Sequence, residues 1–255
     1  MFSLFIMKKE VSIIFPVHNG SKYLEKSVNA VEAYLGSNGF QKFEIVIAED
    51  GSTDGSANIA KKLSSERNNV LVLSSEERLG RGAALEQAIR HCTSEKIVYF
   101  DIDLATGLKS LKRTIDLLNS CDLVIGSRYL PDSQAKRTFV RRFLSIGYRS
   151  LVNVFFGAKI TDYQCGFKGF RKSSIQPILK NITDKKWFWD TILILEATSK
   201  KQKIKEVPVN WEEAKDSTVD IFTDSLEMFF ALCKYKLVKL GLFPNHAEYR
   251  SSQRH

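Results

Sequence analysis

The sequence predicts an α/β domain built on a mostly parallel sheet with flanking helices. Short apolar runs alternate with amphipathic stretches of helical length, which is the pattern of successive strand–helix–strand units. Polar clusters follow the apolar runs directly, and in a parallel sheet such clusters share the edge where ligands bind. Hydrophobic residues make up 44% and charged residues 26% of the 255-residue chain, a globular composition that excludes a disordered protein.

The first half of the chain alternates strictly between strands and helices. Its apolar runs predict strands at residues 11–17, 43–48, 70–73, 96–100 and 122–126. The amphipathic stretches between them predict helices at residues 21–35, 56–67, 80–91 and 107–119. Gly36 is expected to end the first helix. Helical connections of this length allow neighbouring strands to run parallel.

The second half has a different pattern. Residues 138–156 predict a helix rich in Phe, Leu and Val. One face of this helix carries a polar residue at every fourth position, namely Arg141, Ser145, Arg149 and Asn153. The sequence then predicts an irregular stretch, a buried helix, a strand and a long amphipathic helix, at residues 161–171, 189–200, 204–211 and 221–240. Pro208 favours an edge position for that strand.

The overall charge narrows the range of partners. Lys and Arg number 38 against 29 Asp and Glu, and the net charge of +9 suits nucleic acid, an anionic membrane or a phosphorylated small molecule. The cations do not cluster with aromatic residues as in nucleic-acid-binding motifs, so no nucleic-acid partner is expected. The sequence has no uncharged apolar run of about 18 residues, so no membrane span is expected.

The cysteines indicate a cellular compartment. The four cysteines lie far apart, at positions 92, 121, 165 and 233, and none belongs to a Cys-x-x-Cys pair. Neither a zinc site nor a redox pair is therefore expected. This usage favours a reducing, cytoplasmic environment.

Two aspartates follow the predicted strand at 96–100. Asp101 and Asp103 lie two residues apart, so on an extended backbone their carboxylates point the same way, toward the ligand edge. Two anionic oxygens there suit a hard divalent cation, Mg²⁺ or Mn²⁺, which would bind a pyrophosphate and stabilise it as a leaving group. The alternative is a solvated strand end, with both aspartates exposed or one of them capping the next turn.

Two further clusters suggest contacts to a nucleotide. The carboxylate of Asp50, within the acidic turn 49–55, could accept hydrogen bonds from a nucleobase or ribose. The alternative is a turn with a helix N-cap at Asp54 or a neighbouring hydroxyl. At residues 80–82, backbone amides and Arg81 could meet phosphate oxygens, although a plain capped helix is equally compatible.

Seven motifs, in order along the chain, resemble those of the inverting family-2 glycosyltransferases of the GT-A fold. They are IFPVHN at 14–19, EDGSTDG at 49–55, GRGAA at 80–84, DIDLAT at 101–106, GSRY at 126–129, DYQCGFK at 162–168 and KEVPV at 205–209. Within that family the chain resembles the polyprenyl-phosphate (dolichyl-phosphate) glucose and mannose synthases. The resemblance implies a Rossmann-like GT-A catalytic domain over residues 1–220, with 138–156 as an interface helix, and a C-terminal amphipathic helix over 221–245.

The motifs and the resemblance together imply a donor site and an acceptor site. The nucleotide-sugar residues would be Pro16, Val17, Asn19, Asp50, Arg81 and Asp101. Mg²⁺ or Mn²⁺ would be held by Asp101 and Asp103. The acceptor phosphate would meet Arg128, Arg141, Ser145, Lys168 and Arg171. Asp162 would position the reactants or act as a base, with Asp103 as the second catalytic residue and Asp190 as a reserve candidate for the base.

The activity implied by the resemblance is transfer of a hexose to polyprenyl or dolichyl phosphate with inversion. UDP-glucose is favoured as donor, because the Asp-Leu-Ala-Thr and Gln-Cys-Gly-Phe-Lys motifs are closer to the dolichyl-phosphate glucosyltransferases. The alternatives are a mannose synthase using GDP-mannose, a family-2 transferase with a soluble saccharide acceptor, and an inactive scaffold. Departures from the family at Gly20, Ala105 and Thr218 would fit the last of these.

A lipid acceptor also implies contact with a membrane. Without a predicted span, the protein is expected to lie peripherally on the cytoplasmic face of an anionic membrane. The helices at 138–156 and 221–240 combine apolar surface with flanking cations, which is typical of interfacial helices. The alternative is that both helices bury their apolar faces in the protein core.

Overall fold

A computed structural model of the chain describes residues 9–136, 139–212 and 221–243. Within these ranges, nine strands (β1 to β9) span Val11–Val17, Phe43–Asp50, Val70–Ser75, Lys96–Tyr99, Leu123–Ser127, Gln134–Lys136, Lys168–Arg171, Ile204–Pro208 and Asn210–Glu212. In the same ranges, eight helices (α1 to α8) span Ser21–Ser37, Ser56–Glu66, Arg81–His91, Leu111–Leu117, Phe139–Phe156, Lys172–Leu179, Trp189–Ser199 and Ile221–Lys239.

The larger sheet confirms the predicted, mostly parallel arrangement. Its strand order is β3-β2-β1-β4-β7-β5-β8. Strands β1 to β4 pair in parallel, and β5 pairs in parallel with β8. Strand β7 lies between β4 and β5 and runs antiparallel to both. A smaller parallel sheet joins β6 to β9.

One strand corrects the prediction of an irregular stretch over residues 161–171, and the helix after it was not predicted. Residues 168–171 form β7, and α6 follows directly. Local periodicity misses β7 because Phe170 is the one large apolar side chain among its four residues. The strand forms because both neighbours supply hydrogen-bonding partners. Gly169 also leaves room for α4, since an ideal Cβ on this glycine would lie 2.5 Å from Thr114 Cγ2.

Two boundaries also differ from the prediction. Helix α4 begins at Leu111 rather than at residue 107, because the chain turns through positive φ values at Leu104 (52°) and Gly107 (62°). The strand predicted at 204–211 is divided into β8 and β9. The edge position that Pro208 favours is confirmed, because β8 is the outermost strand of the larger sheet.

A hydrophobic core covers each face of the larger sheet. Alternate residues of β1 enter different cores: Ile14 lies in one, whereas Ile13 and Phe15 lie in the other. Helix α7 is buried from Trp189 to Ala197, which confirms the predicted buried helix. Helix α8 adds buried side chains to the same core as α7, namely Met228, Leu232 and Tyr235.

The two predicted interface helices lie against each other. The rings of Phe156 in α5 and Tyr235 in α8 have centroids 5.7 Å apart. No helix in the described ranges is both long and apolar enough to cross a bilayer. The predicted domain boundary at residue 220 stays a prediction, because residues 213–220 lie outside those ranges.

The packing of β7 against α4 can be tested with two glycine variants. We expect Gly169→Ala to lower the free energy of unfolding by about 1–3 kcal/mol, because over-packing a closed core displaces its neighbours. Gly36→Ala is the matched control. No atom lies within 4 Å of an ideal Cβ on Gly36, and alanine in a helix adds up to about 1 kcal/mol of stability. Urea denaturation measures the free energy of unfolding of both variants. If the two variants are equally stable, β7 does not pack against α4 as closely as described.

Candidate active site

The polar residues that follow the parallel strands lie at one edge of the larger sheet. Two loops at this edge, after β1 and β2, are joined by hydrogen bonds. The Asn19 amide N donates to Ser52 Oγ (3.0 Å), and the Asn19 side-chain oxygen accepts from the Thr53 amide (2.8 Å). Asn19 therefore connects the loops while its side chain stays exposed.

Asp101 and Asp103 lie in the turn that follows β4. The turn closes where the Leu104 amide donates to the Asp101 carbonyl (3.0 Å), and Asp103 Oδ1 accepts from the Ala105 amide (3.0 Å). Partial burial raises the pKa of the Asp103 carboxyl, and the nearby charge of Asp101 adds to this effect. The pair is thus a concentration of negative charge that a cation would stabilise.

One oxygen of Asp101 is already engaged inside the protein. Its Oδ1 accepts from Arg81 Nε (3.2 Å) and Nη2 (2.8 Å), while the side chain stays 40% exposed. Gly166 lies against the same carboxylate, and an ideal Cβ on this glycine would come within 2.7 Å of both oxygens. A side chain at position 166 would displace Asp101.

Arg81 is engaged by two carboxylates inside the protein. Its guanidinium lies between the rings of Tyr99 and Trp187, 5.4 and 5.3 Å from their centroids, and its Nη1 donates to Asp190 Oδ2 (2.5 Å). Burial disfavours the charge, but Asp190 and Asp101 outweigh it and raise the pKa of Arg81. The side chain is only 10% exposed. Arg81 therefore orients Asp101, and its predicted contact with the donor phosphate stays a prediction.

The amino terminus of α3 is also occupied. The amides of Gly82 and Ala83 donate to the Lys185 carbonyl, at 2.8 and 3.2 Å. Of the two alternatives that the sequence leaves open, the structure shows the capped helix, with the cap supplied by the segment before α7. Gly82 allows the close approach, since an ideal Cβ there would lie 2.6 Å from Trp189 Cβ.

Asp50 supports a loop instead of presenting a free carboxylate. Its Oδ1 and Oδ2 accept from the amides of Leu79 (2.6 Å) and Gly80 (2.9 Å), and the residue is 3% exposed. The predicted contact of this carboxylate with a nucleobase or ribose stays a prediction. Val17 is likewise buried, whereas Pro16 is half-buried.

Asp162 and Arg128 form a two-pronged ion pair. Arg128 donates from Nε to Oδ2 (2.7 Å) and from Nη2 to Oδ1 (2.8 Å) of Asp162. The amides of Arg128 and Gln164 donate to the same carboxylate. Burial opposes ionisation, but Arg128 outweighs it and lowers the pKa of Asp162. A buried carboxylate with four donors is poorly suited to accept a proton, so its arrangement favours the positioning role over the base role.

The polar face of α5 lies toward the protein. The hydroxyl of Ser145 bonds that of Tyr129, and the Arg149 guanidinium lies 5.1 Å from the centre of the Tyr129 ring. Asn153 accepts from Tyr163 Oη (2.7 Å). This face therefore connects α5 to the segments that carry Arg128 and Asp162. Arg141 belongs to α5, but its side chain lies outside the part that the structure describes.

Lys168 and Arg171 are the remaining cations predicted to meet the acceptor phosphate. Lys168 is fully buried, and its Nζ donates to the Cys165 carbonyl (2.6 Å) and Asp190 Oδ1 (2.9 Å). Because β7 is antiparallel, Lys168 pairs with Tyr99 at the site edge and Arg171 pairs with Lys96 at the opposite edge. Lys168 is thus paired internally at the site edge and Arg171 lies at the far edge, and their predicted contacts with an acceptor phosphate stay predictions.

Asp190, in the first turn of α7, has more partners than the sequence alone indicates. Asp190 accepts hydrogen bonds from Lys168, Arg81 and the Tyr99 hydroxyl. Burial opposes its ionisation, but the charges of Arg81 and Lys168, with the hydrogen bond from Tyr99, lower its pKa. One signal in the sequence points to this role. Asp190 is a single acid within the otherwise uncharged run 187–195, where an unpaired charge would be costly to bury.

The fold is a mostly parallel sheet with helices on both faces, and a turn with two carboxylates lies at the edge where its parallel strands end. Residues 12–179 match the family model described as Glycosyl transferase family 2, so the chain belongs to that family.

Several curated relatives are similar to most of this chain. Glycosyltransferase AglD of Haloferax volcanii is 35% identical over 86% of this chain and 36% of its own length. Dolichyl-phosphate beta-glucosyltransferase ALG5D of Trichomonas vaginalis is 30% identical over 83% and 68%, and the human dolichyl-phosphate beta-glucosyltransferase is 28% identical over 86% and 72%. The chain thus spans about a third of AglD and about two thirds of the other relatives.

A solved structure confirms the GT-A fold. Glucosyl-3-phosphoglycerate synthase from Mycobacterium tuberculosis, in complex with Mn²⁺, uridine diphosphate and glucosyl-3-phosphoglycerate, superposes with a TM-score of 0.67. The match covers 94% of this chain and 82% of that one at 14% identity. At this identity the likeness concerns the fold.

Asp54 offers a test of how the loops after β1 and β2 are joined. Its carboxylate accepts from the amides of Ser21 (2.9 Å) and Ser56 (3.0 Å) and from the Ser56 hydroxyl (2.6 Å). Slight burial opposes ionisation, but these hydrogen bonds outweigh it and lower the pKa of Asp54 to about 2. We expect Asp54→Asn to lower the free energy of unfolding at neutral pH by only about 1 kcal/mol, because solvent screens the charge of an exposed carboxylate.

The pH dependence of this effect follows from the direction of the shift. Because the folded-state pKa lies below the unfolded value, the stabilisation is complete above about pH 4 and is lost as the pH falls toward 2. Thermal unfolding should therefore show wild type and Asp54→Asn converging over that range. Glu76→Gln, a change at another exposed carboxyl, is the control. If wild type and Asp54→Asn differ in stability as much near pH 2 as at neutral pH, the stabilisation does not depend on the ionisation of Asp54.

Proposed function

We propose that the protein transfers glucose from UDP-glucose to polyprenyl or dolichyl phosphate with inversion. The observation that carries this proposal is the position of Asp101 and Asp103 at the same sheet edge as Arg128, which Asp162 fixes in place. The dolichyl-phosphate beta-glucosyltransferases among the relatives support the acceptor class and the sugar. The UDP in the similar solved structure supports the nucleotide.

The carboxylate turn fits a divalent cation, Mg²⁺ or Mn²⁺. After the internal hydrogen bonds are assigned, Asp101 Oδ2 and Asp103 Oδ2 have no donor among the described residues. The described residues hold no cluster of three or more His, Cys, Asp or Glu, so the protein itself would supply few ligands. Mg²⁺ is commonly bound in this way, through one or two carboxylates together with substrate phosphates and water. The ion would neutralise the charge that develops on the departing diphosphate.

Arg128 is the cation that we propose for the acceptor phosphate, because the ion pair with Asp162 uses its Nε and Nη2 and not its Nη1. Its pairing with Asp162 fixes the guanidinium, and the Trp211 ring centre lies 5.9 Å away. A phosphate monoester has a second pKa near about 6, so the acceptor is largely dianionic at neutral pH and needs little help from a base. One of its oxygens would attack the anomeric carbon as the bond from that carbon to the diphosphate breaks, which inverts the configuration.

A lipid acceptor also requires a membrane contact, and the outer face of α5 suits one. Its exposed apolar side chains recur at helical spacing, at Val140, Phe143, Leu151 and Val154. Helix α8 exposes Leu226, Phe229 and Phe230. The exposed cations Arg142 and Lys234 would add about 1 kcal/mol each near an anionic surface. We therefore place the protein peripherally on an anionic membrane, on its cytoplasmic face.

The chain departs from the family pattern at Gly20, Ala105 and Thr218, and the structure describes the first two. We do not take either of these two as a sign of an inactive scaffold. An ideal Cβ on Gly20 would lie 3.0 Å from Ile102 Cγ2, so close packing accounts for this glycine. The backbone of Ala105 donates to Asp103 whatever side chain is present. Thr218 lies outside the described residues.

Transfer of radiolabel to lipid tests the activity. We expect label from UDP-glucose to enter the organic phase when Mg²⁺ or Mn²⁺ and a polyprenyl phosphate in detergent are present. Asp103→Ala should lower the rate at least about 100-fold, since ion-assisted stabilisation of a leaving group is worth several kcal/mol. Asp116→Ala, at an exposed acid of α4, is the matched control. If only GDP-mannose supplies the label, the proposed donor UDP-glucose is wrong. If Asp103→Ala keeps full activity, the proposed role of Asp103 in metal binding is wrong.

Flotation with anionic liposomes tests the membrane surface. We expect a Phe143→Glu, Val154→Glu variant to bind at least about tenfold more weakly, because it places two charges on the apolar face. Leu71→Glu changes an exposed apolar residue of β3 and is the control. Activity toward a short-chain polyprenyl phosphate should be retained by both variants. Undiminished flotation of the α5 variant would exclude this face as the membrane contact.

A further inference from the structure

A buried cluster of charges lies directly behind Asp101. Asp190 is at its centre: Oδ2 accepts from Arg81 Nη1 (2.5 Å), and Oδ1 accepts from Lys168 Nζ (2.9 Å) and from the Tyr99 hydroxyl. The side chains of Lys168, Asp190 and Arg81 are 0%, 5% and 10% exposed. Asp101 is the member of the cluster that solvent reaches.

The charges of this cluster balance only when Asp101 is included. Arg81 and Lys168 contribute two positive charges, and Asp190 and Asp101 contribute two negative ones. A buried pair of this kind adds little net stability, whereas removal of one partner is costly. Packing alone therefore gives no reason for three ionised side chains here, while a requirement to hold Asp101 does.

The cluster fixes both sides of the Asp101 carboxylate. On one side, Arg81 donates twice to Oδ1 of Asp101. On the other side, Lys168 holds the Cys165 carbonyl, and the next residue, Gly166, lies against the carboxylate. Asp190 binds both of the cations that make these contacts. Movement of Asp190 would therefore loosen both contacts at once.

We propose that Asp190 is the positioning residue of the donor site, holding Arg81 and Lys168 so that Asp101 keeps one carboxylate oxygen directed to the nucleotide-sugar–metal complex. This inference rests on the proposed donor and metal sites. It assigns Asp190 no proton transfer, because three donors surround its carboxylate and its side chain is 5% exposed. The role of reserve base is replaced by that of an anchor for two cations.

Charge-balanced variants distinguish positioning from base catalysis. Asp190→Asn leaves two buried cations facing Asp101 alone, so we expect the affinity for Mn²⁺ in the presence of UDP to fall at least about tenfold and the KM for UDP-glucose to rise similarly. The double variant Asp190→Asn, Lys168→Met removes one charge of each sign. We expect it to recover part of the lost affinity, because charge balance returns while the Lys168 contact to the Cys165 carbonyl stays lost, and a double-mutant cycle measures this coupling.

The control is a buried acid on the same helix. Glu196 of α7 accepts from Tyr235 Oη (2.5 Å), Asn181 Nδ2 (2.8 Å) and Lys239 Nζ (2.5 Å), away from Asp101. Glu196→Gln should lower the melting temperature and leave Mn²⁺ affinity and the KM for UDP-glucose unchanged. Paramagnetic resonance of free Mn²⁺, with and without UDP, reports binding without any acceptor, and thermal unfolding verifies that each variant is folded.

Each result decides between the possible roles. Equal loss of kcat in the single and double variants, with Mn²⁺ and UDP binding unchanged, would overturn positioning in favour of a base. Loss of stability alone, with unchanged binding in every folded variant, would also overturn it. If wild type binds Mn²⁺ and UDP but transfers no sugar to lipid, the proposed acceptor is wrong. The binding measurements on the Asp190 variants then still test the positioning role. If wild type binds neither, both proposals fail.

Discussion

The insertion of β7 between β4 and β5 is the constraint on which the site depends. Because β7 is antiparallel to both neighbours, Lys168 arrives at the edge from which Asp101 follows β4. The segment before β7 then crosses the same edge, where Gly166 meets the Asp101 carboxylate and Asp162 reaches Arg128. If β4 and β5 were direct neighbours, the segment that supplies these contacts would be absent from the edge. Strand topology therefore sets the electrostatics of the site.

Burial divides the acidic residues of this edge into two groups. Asp50, Asp162 and Asp190 are 3%, 2% and 3% exposed, and their carboxylates are occupied by internal donors. Asp101 and Asp103 are half-buried and each keep an oxygen without a donor among the described residues. A buried charge is tolerated only with partners, so the first group is suited to fixing loops and cations. Ligand chemistry under the proposed function falls to the second group.

The fold can be predicted from the sequence further than the site can. Strands β1 to β5 and helices α1 to α3 follow from local alternation of apolar and polar residues, and the structure confirms them. Strand β7 depends on neighbours distant in sequence. The same limit explains Arg81 and Lys168, whose common partner, Asp190, lies 109 and 22 residues away. A motif places a residue at an edge, but whether its charge is already paired depends on long-range contacts.

The orientation of α5 connects the acceptor proposal to the membrane proposal. The sequence predicts that Ser145 of this helix meets the acceptor phosphate, and in the structure Ser145 and Arg149 contact Tyr129 beside Arg128. The opposite face exposes Phe143 and Val154. A polyprenyl phosphate has a charged end and a hydrocarbon chain, and the two ends need different surroundings. A helix that presents a polar face to the site and an apolar face outward can serve both ends of one acceptor without a membrane span.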